Sequence, residues 1–400
     1  MCFPIFDGLP FIKTQIYPTR LTTFSIEDFK QAQYFLLSYQ NNTATFHTYR
    51  REVERLLQWA WYIAKKSVRD LKRTDIEHYI TFCQNPPKAW IGLKKVPRFL
   101  KKEGQRVPNP DWRPFVATLS KAAYQRGQPL TREGYTLSPK SLREIFTIVS
   151  SFYHFLIQEA YTEMNPVLQI RQKSRYFRQH QRKLKVRRLS ELQWHYVIET
   201  AEIMAREAIA HERTLFIMTV LYGLYLRISE LTAHDRWTPT MGDFYCDPDG
   251  LWWFTTVGKG NKARQIAVSD AVLQALRRYR QSLGLSALPS PGDPTALITK
   301  QVGKGPITST SQIRVIVQAC FDRARHRLQQ DGFLDEADTL LEATVHWLRH
   351  TGISEDVKHR PREHVRDDAG HSSSAMTDRY IDIELRARHA SSKKKPIKPE

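Results

Sequence analysis

Residues 171–188 carry nine lysines and arginines and not one acid, and no other stretch constrains the folding of this 400-residue chain so strongly. Arg171, Lys173, Arg175, Arg178, Arg182, Lys183, Lys185, Arg187 and Arg188 repel one another and bring too little apolar surface to found a core. The chain is also longer than one core usually organises. Residues 171–189 therefore read as a linker between two domains, entered after Asn165-Pro166, which ends the preceding helix. A linker of this charge can lie along a DNA backbone and add salt-dependent affinity for each phosphate it neutralises.

On the N-terminal side, residues 1–24 show no periodicity and read as an irregular arm. Residues 25–170 read as an all-helical domain. Ser25 with Asp28, Thr43 before Phe46, Tyr49, Val53, Leu56, Leu57 and Ala60, and Thr74 with Glu77 mark helix starts with apolar residues at helical spacing. Ser138-Pro139 opens another helix, with the stripe Ile145, Ile148, Val149, Phe152 and Leu156. Residues 85–136, rich in proline and lysine, interrupt this domain as an insertion expected to consist of loops with short helices. Its lysines either face solvent or touch phosphates.

Residues 190–382 read as a second, mostly helical domain that begins at the capping box Ser190 to Gln193. Within it, Trp252 to Val257 and Ile266 to Val268 flank Gly258-Lys259-Gly260-Asn261, a β-hairpin signal. Residues 383–400 form a tail. The expected fold class is mainly α (α+β), an all-helical domain followed by a helical domain with a small antiparallel sheet.

A formal net charge of +20 points to a polyanionic partner, with nucleic acid foremost. No apolar run reaches the length of a membrane span and the first residues lack the features of a signal peptide, so the expected location is the cytoplasm. Cys2, Cys83, Cys246 and Cys320 form no C-x-x-C pair and have no histidine at ligand spacing. Neither a zinc site nor a disulfide framework is indicated.

Four places in the second domain carry basic side chains that make sense on one phosphate. Arg227 is expected late in an apolar helix, with Glu230 one turn on to hold its guanidinium. Lys259 sits at the hairpin turn between two glycines, followed by Lys262 and Arg264, where a mobile ammonium can reach a leaving oxygen. His346 and Arg349, in His-Trp-Leu-Arg-His-Thr, share a helix face. Gly370-His371-Ser372-Ser373 is followed nine residues later by Tyr380. Alone, each has a bland alternative: a surface ion pair, an ordinary turn, a buried structural histidine, or one of seventeen tyrosines.

Taken in order, Arg, the Gly-Lys-Gly hairpin, His-x-x-Arg-His-Thr, Gly-His-Ser-Ser and Tyr resemble the tyrosine recombinase (phage integrase) family, which includes the Xer and Cre recombinases. The resemblance covers Ser190 to about Tyr380 well, and the first domain more loosely as the family's core-binding domain. It implies that Tyr380 is the nucleophile, forming a 3′-phosphotyrosine, and that Arg227 and Arg349 clamp the phosphate. It further implies that Lys259 is the general acid, that His346 assists proton transfer and that His371 bonds a phosphate oxygen, with no metal or nucleotide cofactor. The implied partner is double-stranded DNA with inverted half-sites, bound by a homodimer that synapses as a tetramer in a bacterial, nucleoid-associated setting. Arg182, Lys183, Lys185, Arg187, Arg188, Lys262 and Arg264 are expected to contact that DNA. A type IB topoisomerase shares the phosphotyrosine step, and a non-catalytic DNA-binding protein shares the fold; the spacing and the complete residue set count against both. One departure stands out: Asp367-Asp368-Ala369 occupies the place of the apolar pair usual before Gly-His, with Glu355, Asp356 and Glu363 nearby.

Overall fold

The structure is a computed structural model and describes residues 2–15, 25–171, 187–258, 261–371, 373, 376–377 and 392–393. Two compact units divide the chain, Met1–Arg182 and Lys183–Glu400. Among the described residues no helix is long and apolar enough to cross a membrane.

In the first unit the helices Ser25–Leu37, Thr43–Trp59, Arg73–Gln84 and Pro139–Gln158 pack their apolar stripes together. Phe46, Val53, Leu57, Ile145, Val149 and Phe152 recur three, four or seven residues apart within their helices and are buried at the centre with Phe35. Asn42 caps the second of these helices through Thr45 N–H (3.1 Å), and Ser138 caps the last through Ser141 N–H (3.0 Å). The third helix begins at Arg73 rather than at a Thr74 cap. Asp75 accepts the Lys72 N–H (2.9 Å), while Glu77 is drawn to Arg73 (3.0 Å).

Two expectations for this unit are amended. Residues 2–8 carry no helix or strand, in keeping with an irregular start, but the segment packs into the core, where Ile5, Phe6 and Ile12 are fully buried. Side chains of the Thr43–Trp59 helix also bind its backbone: Glu54 accepts from Phe6 N–H (3.0 Å), Gln58 donates to Phe3 O (2.7 Å) and Arg50 donates to Asp7 O (2.6 Å). Residues 16–24 lie outside the described residues. The insertion, expected as loops with short helices, also holds four short strands. Ile91–Gly92 pairs in parallel with Phe115–Val116, and Phe99–Lys102 pairs antiparallel with Gln105–Pro108. Trp90, Ile91 and Phe115 anchor the insertion in the core, while its prolines keep every strand too short to show a period.

The second unit opens on the capping box expected at Ser190, whose hydroxyl accepts the Gln193 N–H (3.1 Å). The helices Glu191–Glu207, Glu212–Gly223, Asp270–Ser282, Thr310–Gln330 and Val345–Asp356 surround a core of Val197, Phe216, Leu221, Leu276, Phe321 and Leu348. A three-stranded antiparallel sheet, Phe244–Cys246, Trp252–Val257 and Ala263–Ala267 in that order, buries Phe244, Phe254 and Ile266 against it. Mainly helical with small sheets, the chain has the fold class read from its pattern.

Candidate active site

Arg227 does not lie late in a helix. The Glu212–Gly223 helix ends four residues earlier, and Tyr225 then takes a left-handed conformation (φ 48°) that turns the chain. Arg227 follows in extended conformation (φ −78°, ψ 147°) ahead of the short 3-10 turn Ile228–Leu231. Glu230 still reaches it, for a 3-10 turn brings a side chain back onto the residue three before it. Its Oε1 accepts from Arg227 Nη1 (3.0 Å) and its Oε2 from the Arg227 main-chain N–H (2.8 Å).

Arg264, on the last strand of the sheet, clamps the same carboxylate. Its Nη1 and Nη2 donate to the two oxygens of Glu230, each at 2.8 Å, and its Nε donates to Asp368 O (3.0 Å). Burial alone would push the Glu230 carboxyl up, but the Arg264 and Arg227 guanidiniums hold it below its ordinary value. The side chain of Glu230 is 2% exposed and that of Arg227 27%, so the pair turns positive charge outward over a buried anion.

Arg349 extends from the Val345–Asp356 helix and is itself buried. Its two terminal nitrogens donate to Tyr225 O and Ala369 O, joining the left-handed turn to the end of the Arg362–Ala369 helix. That helix closes on Gly370 (φ +61°), where a Cβ would come within 2.9 Å of Arg264 Cδ. Gly370 O receives Arg227 Nη2 at 3.4 Å, and His371 follows with Nδ1 2.9 Å from Thr377 Oγ1. Burial, then the charges of Arg349, Arg227 and Arg264, depress the His371 pKa to about 4. His346 is exposed, yet the protein around its ring desolvates it, and this together with Arg349 and Arg227 lowers its pKa. His350 stacks edge-on to His346 (4.3 Å between centroids) and falls to about 3, chiefly through burial. The hairpin also reaches this site: a Cβ on Gly258 would lie 3.0 Å from Arg264 Nη1 and 3.5 Å from Arg227 Nη1. Two arginines and two histidines from distant segments thus come within electrostatic reach of one another, the arginines charged and the histidines held neutral. Donors so gathered stabilise the charge of a pentacoordinate phosphate.

A profile described as the phage integrase family matches residues 187–386. The chain belongs to that family. It is a tyrosine recombinase, similar to the tyrosine recombinase XerC of Bacillus subtilis (strain 168), 26% identical over 271 residues, which are 66% of this chain and 78% of the relative. XerC of Chlorobaculum parvum is also 26% identical, over 56% of this chain and 60% of the relative. Among solved structures, the XerH site-specific recombinase in a post-cleavage complex with palindromic difH substrate superposes with a TM-score of 0.57 at 12% identity, covering 98% of this chain and 99% of that one. A lambda integrase dimer bound to a COC′ core site gives 0.51 at 13% identity over 93% and 79%. Identities this low speak for the fold alone.

Of the residues picked from the recombinase motifs, Arg227, Glu230, His346, Arg349 and His371 come together in the structure. Lys259 and Tyr380 lie outside the described residues, as do Arg182, Lys183 and Lys185. Lys262 and Arg187 are exposed and Arg188 is half-buried. Arg264 is corrected: its guanidinium is turned inward onto Glu230 and Asp368 O, where it braces the site instead of facing a DNA backbone. The unusual acids are explained by their partners. Arg360 donates to Asp356 (3.0 Å), Asp368 (2.6 Å) and the Tyr225 hydroxyl (2.9 Å), and that hydroxyl donates to Asp356. These ion pairs stand beside a small apolar cluster of Tyr225, Ile353, Val365 and Ala369. Glu355 pairs with Lys358 (2.8 Å) and Asp367 with Arg366 (2.8 Å) at the surface. Sequence reasoning missed Tyr225 and Arg360 and gave Arg264 a different task; the surplus of acids next to Gly-His was the one visible sign that cations must answer them. Among the described residues no cluster of His, Cys, Asp and Glu is arranged to hold a metal ion.

Proposed function

We propose that this recombinase cleaves and rejoins DNA through a 3′-phosphotyrosine at Tyr380, with Arg227 and Arg349 on the non-bridging oxygens of the scissile phosphate. Tyr380 Oη attacks phosphorus, the bond to the 5′-oxygen breaks, and Lys259 supplies that oxygen with a proton. His346 assists removal of the tyrosine proton, and His371 bonds a phosphate oxygen. A phenol with an ordinary pKa near 10 needs such help, because cations around it favour the phenolate. The new phosphodiester keeps the energy of the old one, so the 5′-hydroxyl of a partner strand reverses the attack without ATP.

One observation carries this reading: Arg227, Arg349, His346 and His371, spread over 145 positions of sequence, come within electrostatic reach of one another. Gly258 beside Arg227 and Arg264 supports Lys259 as the acid, since a Cβ on the residue before it would lie 3.5 Å from Arg227 Nη1. The DNA-bound XerH and lambda integrase structures support duplex DNA as substrate. Two protomers then occupy inverted half-sites, two such dimers synapse as a tetramer, and Lys262, Arg187 and Arg188 contact the backbone beside the linker cations.

The test uses supercoiled plasmids carrying DNA that flanks the protein's own gene. The wild-type chain is expected to leave an SDS-stable covalent adduct and site-dependent recombinant product. Tyr380→Phe binds as tightly and leaves no adduct. Persisting cleavage by that variant removes Tyr380 as nucleophile, and relaxation without partner exchange indicates a type IB topoisomerase.

A further inference from the structure

Between Trp90 and Phe115 the chain leaves the core of the first unit, forms the antiparallel ribbon Phe99–Lys102 and Gln105–Pro108, and returns. Its turn is Glu103-Gly104, both at positive φ (49° and 80°), the two-residue turn that matches the twist of paired strands. The foot of the ribbon is fixed. Phe99 is buried, Asn109 binds Pro97 O (2.7 Å) and Arg98 O (2.8 Å), and Arg98 lies over the Trp112 ring (4.6 Å) while paired to Glu54. Arg106 pairs with Asp7 (Nη2 to Oδ1, 2.7 Å) and covers the Phe11 ring (4.4 Å).

Above that foot the charge is of one sign. Lys94, Lys95, Lys101 and Lys102 are all exposed, and Glu103 at the tip is the only acid from Leu93 to Arg106. No ion pair to a described carboxylate is formed by any of the four. Lys101 stands directly opposite Arg106 in the register, although like charges across a strand pair destabilise it. Asp7 answers Arg106; no described acid answers Lys101. A ribbon with only a structural task has no need of this arrangement, whereas an anionic partner relieves it.

We propose that this ribbon is an additional DNA-binding element that lies along the phosphate backbone of duplex DNA. The inference rests on the recombinase reading and adds to it a contact made by the insertion. Flexible lysines act as point charges suited to phosphates, and the ribbon lacks a free arginine fork with which to read base edges. Its contribution is therefore independent of sequence and steep in salt.

The test measures equilibrium binding of the full chain to a duplex of arbitrary sequence over a salt series. One variant combines Lys94→Gln, Lys95→Gln, Lys101→Gln and Lys102→Gln. A matched variant loses the same charge at the exposed Lys13, Lys65, Lys72 and Lys140. Each phosphate contact contributes about 0.9 to the slope of log K against log salt, so the ribbon variant is expected to lower that slope by about 2 to 4. The matched variant changes it by less than half as much, and arginine at the four ribbon positions restores it. Cleavage at low salt and saturating DNA stays unchanged, because none of the four belongs to the catalytic surface. An unchanged slope, or equal losses in both variants, overturns the proposal while the recombinase reading stands. A wild-type chain without affinity for duplex DNA overturns both.

Discussion

Asp28 in the first unit and Glu230 in the second are both buried almost completely, and their environments differ in kind. Asp28, in the first unit, accepts four bonds from neutral donors: Ser67 Oγ (2.7 Å), Tyr161 Oη (2.8 Å), Trp61 Nε1 (2.7 Å) and Val68 N–H (3.1 Å). Glu230, in the second, accepts from two guanidiniums and one main-chain N–H. Burial pushes both carboxyls upward. Around Asp28 it prevails and the pKa is raised; around Glu230 the two arginines prevail and the pKa is lowered. Asp28 is a cross-brace that ties the Ser25–Leu37 helix to Trp61, Val68 and Tyr161. Glu230 orders positive charge beside a surface where negative charge must develop. Depth of burial is common to both, so the charge of the neighbours is what separates these two; Glu52 and Glu54, as deeply buried and paired with Arg55 and Arg98, show that arginine partners by themselves do not mark a site.

The strongest way to break this comparison is to remove Glu230. Glu230→Ala leaves Arg264, whose side chain is 10% exposed, without its anion. Losing one partner of a buried pair costs about 3–5 kcal/mol, to be read from chemical denaturation. Covalent-adduct formation should fall more in rate than in DNA affinity, since Arg227 is misaimed while surface cations remain. A cost below about 1 kcal/mol means that the pair is not what orders this corner.

Asp28→Asn comes next. The amide keeps one acceptor oxygen but sets its NH2 against two donors, for a loss of about 2 kcal/mol and no effect on adduct formation beyond the loss of folded protein. The pH dependence of the two costs sharpens the contrast. Glu230 has a depressed folded pKa, so its stabilisation is present above the unfolded value and is lost as pH falls through the folded one. The cost of Glu230→Gln therefore shrinks on acidification. Asp28 has a raised folded pKa, so the native state takes up its proton first and gains stability as pH falls toward the unfolded value. The cost of Asp28→Asn therefore grows. Denaturation midpoints at neutral pH and in mild acid check the opposite signs, and parallel trends refute the comparison.

How much of this could be read beforehand depends on the range of the interaction. The stripes on Thr43–Trp59 and Pro139–Gln158 are local and legible because helix periodicity involves residues three and four apart. Arg227, Arg349, His346 and His371 were legible through their order. Tyr225 was not, since Leu221 to Leu226 reads as one apolar helix and nothing in its composition announces a left-handed tyrosine. Arg264 read as a DNA-contacting cation after a hairpin turn; its partners lie 34 and 104 positions away, beyond any window of pattern. Ile5 and Phe6 escaped for the same reason, because the side chains that hold them belong to a helix more than 40 positions later.

The smallest effect belongs to a third carboxylate. Glu207 is clamped by both terminal nitrogens of Arg323, much as Glu230 is by Arg264, but its side chain is 51% exposed and that of its partner 40%. Water and salt screen such a pair, and fixing two long side chains offsets most of what their attraction contributes. Glu207→Gln is therefore expected to leave the denaturation midpoint and the rate of adduct formation where they were, at low and high salt alike. The same fork on the same carboxylate then differs only in its solvent. A shift as large as that of Glu230→Gln would mean that geometry, not burial among cations, decides what an arginine–carboxylate pair is worth in this protein.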